Sequence, residues 1–330
     1  MSQPYDAFLL VSFGGPEGPD DVMPFLENVL RGKNVPRERM LEVAEHYQHF
    51  GGVSPINEQC RELLAGIRAE FAARNCALPI YWGNRNWAPM LADTVREMRD
   101  AGVKRVLALA TSAFGSYSGC RQYREDIERA IAAVEGAPAI EKLPPFCFRP
   151  SFLEAVTDRV QEALASLPDA DVIYTAHSIP VAMAGVSPYE KQLRQVCSIV
   201  NGKLGLPDPV LVFQSRSGPP TQPWLGPDVS EYIRQTASKR VVVVPVGFLS
   251  DHMEVLYDLD TEAAEAAKER GIEFVRAATV GTHPKFIHCI YEMVAEAVAA
   301  QGFSTCAIDC CKPPARPAGP PTGAGGGRPQ

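Results

Sequence analysis

The chain has 330 residues, 46% of them apolar and 22% charged, with a formal net charge of −7. That is ample for a large core and for two domains of ordinary size, which excludes disorder and fibrous structure for most of the chain. The acidic balance argues against a nucleic-acid binder, whose phosphate contacts draw on a basic face, and makes a metal cation or an amphiphilic small molecule the more natural partner.

The first apolar run, Ala7 to Phe13, reads as a buried strand ending at Gly14-Gly15-Pro16. Adjacent glycines let the backbone turn tightly or approach a bound molecule. They do not form a dinucleotide fingerprint, because the third glycine falls at Gly18, after Pro16. A helix is predicted over Pro55 to Asn75, with Ser54 as N-cap, Pro55 at the first helical position, and Ile56, Cys60, Leu63, Leu64, Ile67 and Phe71 on one face. Pro79 to Gly83 reads as a strand. Met90, Leu91, Thr94, Val95 and Met98 form a second helical stripe, closed by Gly102. Arg105 to Ala110 is a strand candidate, and a break at Leu143-Pro144-Pro145 precedes a new helix from Phe152 to Leu167. Val172 to Ala176, Val210 to Gln214 and Arg240 to Val246 complete the strand candidates.

Strands separated by helices of this length need crossover connections, so the class is α/β with largely parallel, doubly wound sheets. The expected organisation is two domains, 1–150 and 151–303, a cysteine-rich segment over 304–312, and a disordered tail over 313–330 with six prolines and five glycines. No stretch reaches the roughly 18 apolar residues of a bilayer span. Met1 to Asp6 lacks the basic start and apolar run of a signal peptide, so a cytoplasmic protein without a transmembrane segment is expected.

In such sheets ligands sit beyond the carboxyl ends of the strands. One strand ends in Ala176-His177-Ser178, where an imidazole can take a proton or bind a metal. A lone histidine is more often a hydrogen-bonded core residue. Beyond the four-valine strand lies Ser250-Asp251-His252-Met253-Glu254-Val255-Leu256-Tyr257-Asp258. A helix starting near Ser250 lines up Glu254, Asp258 and Glu262 at every fourth residue. A solvated acidic face is the ordinary explanation; the position at a strand end favours function. One nitrogen and one oxygen are too few donors for a structural metal, so any ion held there is transient and partly hydrated.

With these residues in view, the chain resembles the ferrochelatase family over nearly all of residues 5 to 300. The resemblance rests on Leu10-Val11-Ser12-Phe13-Gly14-Gly15-Pro16-Glu17, Phe50-Gly51-Gly52-Val53-Ser54-Pro55-Ile56, Ala176-His177-Ser178-Ile179-Pro180, Gln214-Ser215-Arg216 with Trp224-Leu225-Gly226-Pro227, and the Ser250 to Asp258 segment, in that order. It is most similar to actinobacterial members of the coproporphyrin-using branch. The resemblance implies two Rossmann-like domains with a cleft between them, and Fe2+ and coproporphyrin III as substrates. It implies that His177 and Glu254 are catalytic and metal-binding, and that Asp258 and Glu262 continue an acidic ladder. Phe13, Arg31, Tyr47, Ser54 and Tyr123 match porphyrin-binding positions. His46 stands where a relative carries arginine, which implies weaker or pH-sensitive propionate anchoring. Phe13 cannot ligate iron as a relative's tyrosine would. Phe13 and Trp224 are walls of the cleft or ordinary core aromatics. The enzyme of the next step in haem synthesis is a candidate protein partner. Other readings are a protoporphyrin IX ferrochelatase, a cobalt or nickel tetrapyrrole chelatase, and a porphyrin or haem carrier without catalysis.

Nine cysteines in a reducing compartment are not expected to form a disulfide scaffold. Cys306, Cys310 and Cys311 plus one internal thiol would satisfy a [2Fe–2S] cluster, with Cys147 the leading internal candidate; zinc or free thiols are the alternative. Some ferrochelatases are similar in carrying such a cluster. Cys60, Cys76, Cys120, Cys197 and Cys289 read as small buried apolar residues, and His283 and His288 as structural. His49 is assigned no role.

Overall fold

The computed structural model describes residues 4–32, 35–218, 221–307 and 309–313. The first half runs β1 (Ala7–Ser12), α1 (Val22–Val29), α2 (Arg37–His49), α3 (Ile56–Ala73), β2 (Ile80–Asn84), α4 (Leu91–Asp100), β3 (Arg105–Ala110), α5 (Gln122–Ala132) and β4 (Ala139–Lys142). The second runs α6 (Pro150–Ser166), β5 (Asp171–His177), α7 (Val181–Ala184), α8 (Tyr189–Leu204), β6 (Val210–Gln214), α9 (Val229–Gln235), β7 (Arg240–Val244), α10 (Met253–Val255), a π-helical segment (Leu256–Ala263), α11 (Ala264–Glu269), β8 (Glu273–Arg276) and α12 (Pro284–Ala299).

Each half folds as an all-parallel four-stranded sheet, in the orders β2-β1-β3-β4 and β6-β5-β7-β8, which confirms the α/β class with two sheets of one topology. The chain reverses its direction of travel between β1 and β3, and again between β5 and β7, and such switch points open a crevice beyond the strand ends. The central strands emerge where continuous apolar runs place them. Alternation along them explains the unbroken apolar runs: Phe8 and Leu10 of β1 face one core while Ala7, Leu9 and Val11 face another under α4 and α5. In β7, Val242 and Val244 take the first direction, and Val241 and Val243 pack against α9 and α11. The inner faces of both sheets share one core with α3, α6, α8 and α12, and α12 packs on both α6 and α3.

The edge strands β4 (Ala-Ile-Glu-Lys) and β8 (Glu-Phe-Val-Arg) escape a reading by apolar runs, because they are short, partly exposed and half polar. Ser54 does not cap α3: the N-cap position belongs to Pro55, and no side-chain cap bond forms there among the described residues. Instead the Ser54 backbone N–H donates to the Pro16 carbonyl at 2.8 Å. Gly15 lies so close that a Cβ on it would stand 2.7 Å from both Ser54 Cβ and Ile56 Cγ2, so the end of β1 and the start of α3 meet only because this residue is glycine. Apart from Pro313, the expected tail lies outside the described residues.

Candidate functional site

β5 delivers His177 to the switch point of the second sheet. Its Nδ1 lies 2.5 Å from the Ser178 carbonyl oxygen, which can only accept, so Nδ1 carries the hydrogen and Nε2 of the neutral ring is left as the basic atom. Nε2 stands 3.7 Å from Glu254 Oε2. Their side chains are 33% and 48% exposed, so the pair lines a solvent-accessible surface rather than forming a sealed ion pair. Two residues 77 positions apart in sequence, one ending β5 and one beyond its neighbour β7, are thus brought face to face.

The segment from Ser250 is not the single α-helix that a four-residue repeat predicts. One short turn, α10, carries Glu254, and then the chain widens into the π-helical segment. An α-helix would stack Glu254, Asp258 and Glu262 directly over one another, an arrangement of like charges that is unfavourable. The π turn bonds i to i+5 and is common at functional sites. Here Asp258 turns towards the end of β6, where its carboxylate accepts from Ser215 Oγ and, at 3.3 Å, from Gln214 Nε2. Gln214 also donates to the Glu254 carbonyl at 3.2 Å and is itself held by the Thr175 hydroxyl at 2.8 Å, so β5, β6 and the acidic segment are cross-linked. Burial pushes the Asp258 carboxyl up to about 7, the Ser215 hydrogen bond opposing and the charges of Glu254 and Glu262 adding to it. Glu262 is exposed and raised in the same direction, chiefly by desolvation.

Across from this pair, the first half supplies an aromatic wall. Phe25 sits edge-on to Phe13 at 6.3 Å, to Tyr47 at 5.8 Å and to Trp87 at 6.3 Å. Arg85 spans from Phe13 to Tyr123, its guanidinium 5.6 Å and 4.4 Å from the two ring centres, while forming an ion pair with Asp126. Burial raises the Tyr47 phenol, and the charge of Glu254 adds to it. Of the sequence-derived porphyrin contacts, Phe13 and Tyr47 therefore lie on the wall. Tyr123 is buried under Arg85, and Ser54 is buried beside Gly15. Arg31 is exposed at the end of α1, donating to Asn28 Oδ1 at 2.5 Å. His46 does not point along with them: its ring lies flat on Tyr257 of the π segment, centroids 3.9 Å apart at 11°, so α2 and the acidic segment touch directly. Trp224 forms a β-bridge with Pro180 and packs its indole on Gly218, beside the His177 strand.

Besides Phe25, Arg85 and Trp87 of the wall, His252, Phe248 and Tyr189 escaped the sequence reading. His252 is partly buried, its Nδ1 without a hydrogen-bond partner among the described residues, and burial lowers its pKa, so the ring is neutral. Phe248 stands between it and His177, at 5.2 and 6.5 Å. Tyr189 donates to the His177 carbonyl at 3.0 Å and feels the charge of Glu254. The signal for His252 was its place inside the Ser250 to Asp258 motif; Tyr189 carries none.

Cys147 is buried among Phe146, Phe152 and other residues of the shared core. The internal thiol beside the C-terminal ones is Cys120, which acts electrostatically on both Cys306 and Cys311. Cys306 and Cys310 are within hydrogen-bonding reach of each other, and Arg121 donates to the Cys310 carbonyl at 3.2 Å, seating the segment on the turn that holds Cys120. Cys120 is buried, as read from the sequence, and Cys76 is only partly buried. Among the described residues no group of three or more His, Cys, Asp or Glu is arranged to hold a metal ion. In donor chemistry, the four thiols fit a [2Fe–2S] cluster.

The ferrochelatase family model matches residues 5–298. A ferrochelatase of Rhodopirellula baltica is 55% identical, covering 93% of this chain and 93% of its own. Coproporphyrin III ferrochelatases of Streptomyces coelicolor and Mycolicibacterium smegmatis are 48% and 49% identical, covering 93% and 88% of this chain and 90% and 89% of theirs. Among solved structures, the sirohydrochlorin chelatase SirB from Bacillus subtilis subspecies spizizenii in complex with cobalt superposes with TM-score 0.55 at 12% identity, covering 89% of this chain and 95% of its own. CbiX, described as the terminal enzyme for biosynthesis of sirohaem in denitrifying bacteria, gives 0.52 at 13% identity, covering 88% and 99%. At these identities the structural matches speak for the fold.

Proposed function

The chain belongs to the ferrochelatase family, and from that premise we propose that it inserts Fe2+ into coproporphyrin III, releasing two protons and giving iron coproporphyrin III. The observation that carries this reading is the 3.7 Å approach of His177 Nε2 to Glu254 Oε2 opposite an aromatic wall. Insertion replaces two pyrrole N–H bonds by metal–nitrogen bonds, so the site must accept two protons while an ion enters. His177 Nε2 is the acceptor, and Glu254 stabilises the imidazolium and the approaching cation. Asp258, poised near neutral pH, passes protons on to the exposed Glu262. The rings of Phe13 and Tyr47 bear on the macrocycle face. Arg31 at the rim pairs with a propionate, with hydroxyls of Ser54, Tyr47 and Tyr123 as further donors. We take 1–150 and 151–303 as the two lobes that bring wall and base together. No described helix is long and apolar enough to cross a membrane, and a cytoplasmic location with release to the next enzyme of haem synthesis accords with this reading.

Anaerobic assays with Fe2+ are expected to metallate coproporphyrin III at least about tenfold faster than protoporphyrin IX, since two further carboxylates add charge-assisted bonds. Faster turnover of protoporphyrin IX would reverse the substrate assignment, and preferential metallation of sirohydrochlorin would move the enzyme to another branch.

A [2Fe–2S] cluster is proposed on Cys306, Cys310 and Cys311 with Cys120, rather than Cys147, as internal ligand; its chemistry is not used in the insertion step. The anaerobically purified protein is expected to show visible charge-transfer absorption that Cys120→Ser abolishes and Cys147→Ser leaves intact. The opposite pattern restores Cys147.

A further inference from the structure

The start of α10, and with it Glu254, is held in place from the other half of the molecule. Gln59 lies in the first turn of α3, whose buried face of Ile56, Leu63, Leu64 and Ile67 packs it against the body of the protein. Its Oε1 accepts from the Asp251 backbone N–H at 2.8 Å, and its Nε2 donates to the Asp251 carbonyl at 3.3 Å. One side-chain amide thus pairs with both main-chain groups of a single residue. This contact is directional, because a slip by one residue breaks both bonds and a flip of either peptide flanking the Asp251 Cα breaks one of them. The Asp251 carboxylate is fixed separately, by Arg276 at 2.6 Å, and Arg276 also reaches Asp260 at 2.6 and 3.0 Å on the far side of the acidic segment. Asp251 is therefore gripped by its main chain from α3 and by its side chain from β8, three residues before Glu254. The following N-cap, His252, forms no side-chain cap bond among the described residues, so α10 takes its position from this junction rather than from a cap of its own.

We infer that Gln59 is a positioning residue for metal insertion: by fixing the Asp251 peptide it sets the distance between Glu254 and the His177 imidazole. The inference rests on the role given to Glu254 above. Gln59 spends both its amide atoms on the Asp251 main chain, so its loss should appear in the chemical step and not in porphyrin binding. Gln59→Met, close in volume and without polar atoms, is expected to lower kcat about tenfold, since small displacements of a catalytic group carry large rate costs. The KM for coproporphyrin and its Kd from fluorescence titration should stay within about twofold, because the wall is untouched. Gln59→Glu keeps the acceptor for the Asp251 N–H and loses the donor, and should recover part of the rate. The decisive measurement is the double variant. If Gln59 acts through Glu254, adding Gln59→Met to Glu254→Gln should lower kcat less than about twofold further. Native kcat in folded Gln59→Met, or losses that multiply in the double variant, overturn the inference. Should Gln59→Met lose its thermal transition, the same comparison is made with Gln59→Glu. Native turnover in Glu254→Gln would instead overturn the role of Glu254, leaving the two failures distinguishable.

Discussion

Replacing His177 by alanine is expected to lower kcat by about 10²- to 10⁴-fold, the range spanned by loss of a positioned general base, with porphyrin affinity within about threefold of the native value because uniform binding is untouched. The expectation follows from how the ring is held. The Ser178 carbonyl takes the Nδ1 hydrogen at 2.5 Å, so Nε2 presents a lone pair without a tautomer exchange, and Glu254 at 3.7 Å favours the proton once it arrives. Alanine removes the acceptor and leaves Phe13, Tyr47 and the rest of the wall in place. Anaerobic initial rates, paired with fluorescence titration of coproporphyrin, separate the two quantities. His283→Ala provides the control, since that ring faces Asp158 and Lys285 at the start of α12. A protein that only carries porphyrin would have no turnover to lose, and equal loss of affinity and rate in His177→Ala would make the histidine a binding residue.

The second large effect concerns Asp258→Asn. The native carboxyl, raised to about 7 from 3.8, holds its proton in the folded protein over a range where the unfolded chain has released it. Its contribution is thus most favourable below about pH 4, erodes as pH rises through 7, and stays at its least favourable above that. With partial solvent access to the side chain, the swing is roughly 1–3 kcal/mol. Asparagine cannot ionise, while its amide oxygen still accepts from Ser215. Asp258→Asn is therefore expected to match the native protein in urea unfolding at pH 4 and to exceed it at pH 8 by about 1–3 kcal/mol, while turnover at pH 8 falls because the outward proton step is lost. Parallel stability curves from pH 4 to pH 8 would show that the carboxyl is not strained by burial. A group that costs stability where it works is common in active sites.

The parts of this molecule written in local pattern were legible. Apolar runs marked the central strands and the 3.6-residue stripe marked α3, because those residues are buried on every face or on one face. His177 and Glu254 stood out because each follows such a run in a parallel sheet. The edge strands β4 and β8 did not, since Glu141 and Glu273 look like loop residues until a neighbouring strand is known. Ser54 looked like a cap because its spacing from the helix is right; only the neighbouring Gly15 shows its real contact. That Cys120 neighbours the C-terminal thiols was hidden for a related reason, as nothing local distinguishes a thiol facing the core from one facing the end of the chain. Gln59 was beyond reach, being tied to a peptide 192 positions away.

The inner core beneath both sheets is continuous, whereas Val22, Phe25, Leu26 and Ala44 form a small cluster of their own with Phe13, Tyr47 and Trp87. Opening the halves like a book would tear apolar surface across the whole molecule, whereas α1 and α2 are joined to the body by that satellite, the Asn28–Asn86 hydrogen bond and the His46–Tyr257 stack, a far smaller area of contact.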